Sequence, residues 1–175
     1  MRKILALDLS VASTGWALGS PDGDPAFGHY ALPSTGNDIG KLLAAFQDWL
    51  SLKIAGEDIA LCVFEAPILS RGKTHVLTAR KLMGLAGVTE LICHRAAIRC
   101  VEEHLQTNKK RFAGHGHADK HTMMHVARRY GWDVTRDDEA DALALWVGGV
   151  CTYAKAHAGR YLSGPLGARP FAGVA

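Results

Sequence analysis

Six consecutive apolar residues, Ile59-Ala60-Leu61-Cys62-Val63-Phe64, run directly into Glu65, Ala66 and Pro67. A strand with one wet face alternates apolar and polar side chains, so a run that is apolar throughout belongs to a strand covered on both faces. Such a strand needs helices on either side of its sheet, and this confines the chain to α/β architectures. Pro67 disfavours continuation, so the strand stops with a carboxylate at its end. Ile4-Leu5-Ala6-Leu7 has the same form and ends on Asp8.

The rest of the chain fits around these two strands. Gly15-Trp16-Ala17-Leu18-Gly19 reads as a returning strand after a turn over Ser10 to Thr14, and Phe27 to Leu32 as a third. Asp38 is placed to cap a helix reaching Ala55, with Gly56 as its stop. A second helix is expected from Thr74 to Ala96, and it is apolar on more than one face. A strand over Ala97 to Val101 and a helix from Ala118 to Tyr130 follow. The last helix starts near Asp138 and carries Ala142, Leu143, Leu145, Trp146 and Val150. The expected fold is therefore α/β, with three N-terminal antiparallel strands, then parallel strands, and helices on both faces. One domain is expected over residues 1–157, with residues 158–175, rich in Gly, Pro, Ala and Arg, as a flexible tail.

Composition excludes more than it selects. With 48% hydrophobic and 21% charged residues the chain is neither disordered nor membrane-spanning, and its net charge of +3 does not by itself indicate a nucleic-acid partner. Without a signal-peptide pattern the expected location is the cytoplasm. The four cysteines, at 62, 93, 100 and 151, include no Cys-x-x-Cys pair, so no zinc ribbon or redox motif follows, and Cys62 is expected as a buried reduced thiol.

The acids carry the chemistry. Strand ends are where open α/β sheets place their sites, and Asp8 and Glu65 both stand at one. Asp138 and Asp141, spaced i, i+3, share a helix face; Asp137 is spaced i, i+4 from Asp141, so spacing leaves Asp137 and Asp138 open. Asp8 alone could be a turn residue, and either Asp137 or Asp138 could serve the helix N-terminus. If they converge, the carboxylates repel one another and stay ionised only beside cations. Hard oxygen donors suit Mg²⁺, and Mg²⁺ suits phosphodiester hydrolysis.

Taken in order, these segments resemble the RuvC-type Holliday-junction resolvases of the RNase H-like superfamily. The likeness rests on Ala6-Leu7-Asp8-Leu9-Ser10 with Ser13-Thr14-Gly15-Trp16-Ala17, then Val63-Phe64-Glu65, Gly114-His115-Gly116-His117-Ala118-Asp119-Lys120, and Asp138-Glu139-Ala140-Asp141-Ala142-Leu143-Ala144-Leu145. It spans Ile4 to about Trp146, and its last segment assigns Asp138 rather than Asp137. The resemblance implies an RNase H-like fold and a homodimer paired through the 74–96 helix. It further implies Mg²⁺-dependent paired incision of four-way junctions or other branched DNA in recombination and repair, with Mn²⁺ able to substitute. Asp8, Glu65, Asp138 and Asp141 are then the catalytic metal ligands. Leu9-Ser10 replaces the family's usual Pro-Gly, and Ile68 stands where bacterial members carry a stacking aromatic. Both departures suit a divergent phage or prophage protein working in a host cytoplasm.

Basic residues Lys109, Lys110, Arg111 and Lys120, with Arg71 and Lys73 after Glu65, are the expected DNA contacts; Lys109 and Lys120 match basic positions of the family. A solvated helix face is the plain alternative for such charges. His121 and His125, spaced i, i+4, lack a third ligand for zinc. Three other readings stay open: a same-fold nuclease for flaps, forks or structured RNA, a non-catalytic junction-binding protein, and an actin-like ATPase.

Overall fold

The computed structural model describes residues 2–67 and 75–162. β1 (Lys3–Asp8), β2 (Ser13–Gly19) and β3 (Ala26–Ala31) form an antiparallel meander. β4 (Ile59–Glu65) and β5 (Arg99–Glu103) extend the sheet in parallel on the other side of β1. The five-stranded order is β3-β2-β1-β4-β5, the mixed sheet expected from the sequence.

Strand pleating divides the core in two. Ile4, Ala6, Leu61 and Val63 point to one face, where they pack on α5 (Asp137–Tyr153). Leu5, Leu7, Cys62 and Phe64 point to the other, beneath α1 (Ile39–Ile54) and α2 (Val76–Arg95). The run Ile59–Phe64 is apolar at every position because both faces are covered. Asp38 caps α1 as expected, accepting from Lys41 N at 2.9 Å, and Leu42, Phe46 and Leu50 form the helix's buried stripe. Trp146 Nε1 donates to Ile4 O at 3.2 Å, which pins the middle of α5 beneath the start of β1.

Two elements differ from expectation. β5 begins at Arg99 rather than Ala97, because Ala97 takes φ +53 in the turn that ends α2, with Ile98 N donating to Cys93 O at 2.9 Å. α3 (Leu105–Ala113) has no counterpart in the sequence reading, since Leu-Gln-Thr-Asn-Lys-Lys-Arg-Phe-Ala offers too few apolar residues to show a helical period. It is held by the buried Phe112 and by close packing of Asn108 on α5. Asn108 is fully buried against α5, and a Cβ on Gly148 would come within 1.9 Å of its Oδ1. Gly114, at φ +88, ends α3, and Asp119 then caps α4 (Lys120–Arg129) by accepting from Thr122 N at 2.8 Å.

The packed chain also continues past His157, where the sequence suggested a loose tail. After a 3₁₀ turn at Lys155–His157, α6 (Gly159–Leu162) returns Tyr161 to the core, fully buried. Tyr161 stands 5.7 Å from Trp146 and 5.9 Å from Tyr130, ring centre to ring centre. With Phe112 and Trp132 these rings lock α3 and α4 onto α5. A single aromatic among Gly, Ala and Arg gives no periodic signal, so this anchor is invisible in composition.

Candidate active site

Register brings the first two acids together. Leu7 and Phe64 are partners in the parallel β1/β4 ladder, so Asp8 and Glu65, one residue on, leave the sheet side by side. Both continue the side-chain parity that faces α5. Their carboxyl groups are close enough that each shifts the titration of the other.

Gly15 seats the third element. It pairs with Asp8 across β1 and β2, and a Cβ there would lie 2.0 Å from the main-chain oxygen of Asp138. The Thr-Gly pair after the first aspartate thus has a steric cause: only glycine lets the N-terminus of α5 rest on β2. Glu139 organises that terminus. Its Oε2 accepts from Thr135 N at 2.8 Å and Arg136 N at 3.2 Å, and its Oε1 meets His29 Nδ1 at 3.0 Å. α5 therefore begins at Asp137, with Arg136 rather than an aspartate in the capping position.

From this start the acids of α5 diverge. Asp137 pairs outward with Lys120. Asp138 is buried, and its Oδ2 accepts from Ser13 Oγ at 2.6 Å while Arg136 Nε reaches both of its oxygens at 3.2 Å. Asp141 turns toward Asp8 and Glu65; its Oδ1 is buried, accepts no hydrogen bond, and has Lys109 Nζ at 3.6 Å. Asp8, Glu65 and Asp141 consequently bear on one another as neighbouring charges, with Asp138 close enough to add to the field on Asp8, but their oxygens are not drawn together as tightly as the ligands of a formed metal cluster.

The electrostatics follow from that crowding. Burial pushes Asp8 well above the ordinary carboxylate range, helped by its hydrogen bond to Glu65 and by the charges of Asp141, Glu65 and Asp138. Burial also raises Glu65, opposed by the hydrogen bond from Asp8 and by Lys109. Asp141 is pushed up to about 6 by burial, against the pull of Lys109. Three raised carboxylates carry more negative charge than the single ammonium of Lys109 offsets, and such hard oxygen donors fit a divalent cation such as Mg²⁺.

The expected DNA contacts separate. Lys109 is largely buried against Asp141, whereas Lys110 is exposed beside it on α3. Lys120 is exposed and paired with Asp137 at the mouth of the site. Arg111 turns away, donating from Nη1 to Gly148 O and Thr152 Oγ1 at 3.2 Å, so it serves as a strut to α5. Arg71, Lys73 and Ile68 lie outside the described residues. His121 and His125 are exposed on α4 and join no group of three possible metal ligands among the described residues. Ser13 and Arg136, the groups that hold Asp138, carried no recognisable signal of this role; hydroxyl and guanidinium partners of a buried acid depend on tertiary contact.

No protein-family model and no curated protein sequence matches the chain. Solved structures do. Thermus thermophilus RuvC matches with a TM-score of 0.67 at 16% identity, over 88% of this chain and 96% of that one. T. thermophilus RuvC in complex with a Holliday junction substrate matches with a TM-score of 0.70 at 15% identity, over 90% and 98%. The yeast mitochondrial Holliday junction resolvase Ydc2 matches with a TM-score of 0.61 at 12% identity, over 89% and 83%. At these identities the likeness is one of fold: the protein has the RNase H-like fold, in the form these junction resolvases share.

Proposed function

We propose that this protein is a structure-specific endodeoxyribonuclease that incises Holliday junctions or other branched DNA by Mg²⁺-dependent phosphodiester hydrolysis, acting as a homodimer. The observation that carries the reading is the placing of Asp8, Glu65 and Asp141, from three elements, as mutually interacting carboxylates, with Asp141 Oδ1 buried and accepting no hydrogen bond. The fold shared with RuvC and Ydc2 supports the choice of branched DNA.

Asp8, Glu65 and Asp141 would hold the metal, with Asp138 completing the set from its Ser13 and Arg136 bonds. When bound, Mg²⁺ supplies Lewis-acid activation of water and neutralises charge on the phosphodiester, and Mn²⁺ can take its place. A bound cation would compete with protons for the Asp8 and Glu65 oxygens. Lys109 sits beside Asp141, where an ammonium holds the carboxylate charged and meets a phosphate oxygen. Lys120 and Lys110 line the approach and contribute affinity without reading sequence. Arg71 and Lys73 follow Glu65 closely in the chain and are proposed as further backbone contacts.

Pairing through α2 is supported by its outward stripe. Val76, Met83 and Leu91 are exposed at 72%, 54% and 43%, and Gly87, on the same stripe, would meet nothing with a Cβ. Gly84, at the edge of this stripe, abuts Leu43 of α1. Two sites related by a dimer axis could nick opposed strands.

A substrate panel tests the reading. Purified protein with Mg²⁺ is incubated with a four-way junction, a flap, a fork, a structured RNA and linear duplex. Paired incision of the junction, absent from linear duplex, is expected. Preferential cutting of flap, fork or RNA would reassign the substrate, and tight junction binding without incision under Mg²⁺ or Mn²⁺ would leave only a binding protein.

A further inference from the structure

On the far side of the sheet from the carboxylates, three of the four cysteines come together. Cys62 of β4 and Cys100 of β5 are direct partners in the parallel ladder, and Cys93 reaches them from the last turns of α2. Their sulfur atoms all lie within 4.8 Å of one another, and no disulfide joins them. Cys62 and Cys93 are fully buried, whereas Cys100 is half-buried and gives the cluster an edge toward solvent. No His, Asp, Glu or further Cys joins them among the described residues.

Packing alone does not call for this arrangement. A lone buried thiol behaves as a small apolar group, but here three separate elements each contribute a sulfur to one point. With metal–sulfur bonds of about 2.3 Å, the sulfurs of a three- or four-coordinate site stand about 4 Å apart. The cluster is therefore within a small side-chain adjustment of ligating geometry. The three thiols are close enough to shift one another's titration, with Cys93 lowered and Cys62 and Cys100 raised. Soft thiolate donors select Cu(I) and Zn²⁺ over the hard cations that suit the carboxylates.

We propose that Cys62, Cys93 and Cys100 form a second, sulfur-only site that binds one thiophilic d¹⁰ cation, Cu(I) or Zn²⁺, on the sheet face opposite the carboxylates. Cu(I) is satisfied by three sulfurs, whereas Zn²⁺ would take a water as fourth ligand from the Cys100 side. The bound ion would tie the end of α2 to β4 and β5, three residues upstream of Glu65 on the same strand. This site is independent of the proposed nuclease activity.

To test it, reduced and metal-stripped full-length protein is titrated anaerobically with Cu(I) in one arm and with Cd²⁺, a spectroscopic surrogate for Zn²⁺, in the other. Thiolate-to-metal charge-transfer absorption is expected to saturate at one ion per chain in at least one arm. Carboxylates give no such band, so binding at Asp8 and Glu65 does not mimic it. Cys93→Ser and Cys100→Ser should weaken binding by at least about 100-fold, the most that loss of a mere supporting contact does. Cys151→Ser should leave the titration unchanged. Should the serine variants fold poorly, iodoacetamide labelling of the wild type decides at the two thiols with an edge toward solvent: the metal should protect Cys100 but not Cys151. Absence of the band in both arms, its survival in both serine variants, or labelling indifferent to metal overturns the proposal.

Discussion

Lys109 is the residue at which the proposed phosphate-binding and metal-binding roles of the site meet. Its ammonium stands 3.6 Å from Asp141 and opposes the burial that lifts that carboxyl to about 6. Lys109→Met removes this opposition, so Asp141 should hold its proton to higher pH. We expect the acidic limb of the cleavage pH–rate profile to move upward and the rate at neutral pH to fall by about tenfold or more; Lys109→Arg should keep the limb in place. An unmoved limb in Lys109→Met would separate Lys109 from Asp141. At this scale the sequence was partly legible. Asp8 and Glu65 could be found because each ends an apolar run, a local pattern. Asp141 was marked by its helical spacing to a second aspartate, while Asp137 and Asp138 were inseparable by that spacing. What parts them is tertiary: Ser13 lies 125 residues away from Asp138 in the chain and reaches it only in the fold.

Among the elements, α5 depends on β2 giving way. Adding a methyl at Gly15 drives it into the main chain of Asp138, which cannot rotate aside. Gly15→Ala should therefore destabilise by on the order of 3 kcal/mol, a Tm loss of roughly 6–12 °C for a chain of this size. A thermal melt checks this, and an unchanged Tm would show that α5 does not rest on β2 in solution. α2 poses the converse case, with an apolar stripe facing outward. Met83→Glu with Leu91→Glu should convert a dimer to a monomer in light scattering while leaving the fold intact, because neither side chain belongs to the core. The excess apolar surface of this helix was visible in its sequence. α3 was not: its seat is a buried asparagine against Gly148, and a polar residue in a polar helix carries no burial signal.

For the molecule as a whole, the carboxylate pocket works against the fold that builds it. The ordinary Asp pKa of 3.8 rises to about 6 at Asp141 in the folded chain. The folded state thus binds this proton more tightly than the unfolded chain does, and ionising it costs stability. The cost is absent below about 3.8, grows between there and about 6, and is complete above. Asp8 and Glu65, also raised, act in the same direction. In EDTA, Tm should fall as pH rises from about 5 to 7.5, at roughly 2–4 °C per kcal/mol. Mg²⁺ should recover most of the loss at pH 7.5 and little at pH 5, because protons compete for the same oxygens. Asp8→Asn should melt higher than wild type at pH 7.5 without metal and gain nothing from Mg²⁺. The two-sided core that holds this pocket was legible from two apolar runs, since burial on both faces leaves few arrangements, whereas the strand order comes from long-range pairing that those runs do not encode. The anchor at Tyr161 was not, as a lone aromatic has no period to detect.

The most direct measurement is single-turnover cleavage of a four-way DNA junction in Mg²⁺ by the wild type, Asp8→Asn and Glu65→Gln, each confirmed folded and still able to bind the junction. Paired incision by the wild type and a loss of about 1000-fold in each variant is the result expected if these carboxylates perform the hydrolysis. Undiminished cleavage by either variant would contradict it.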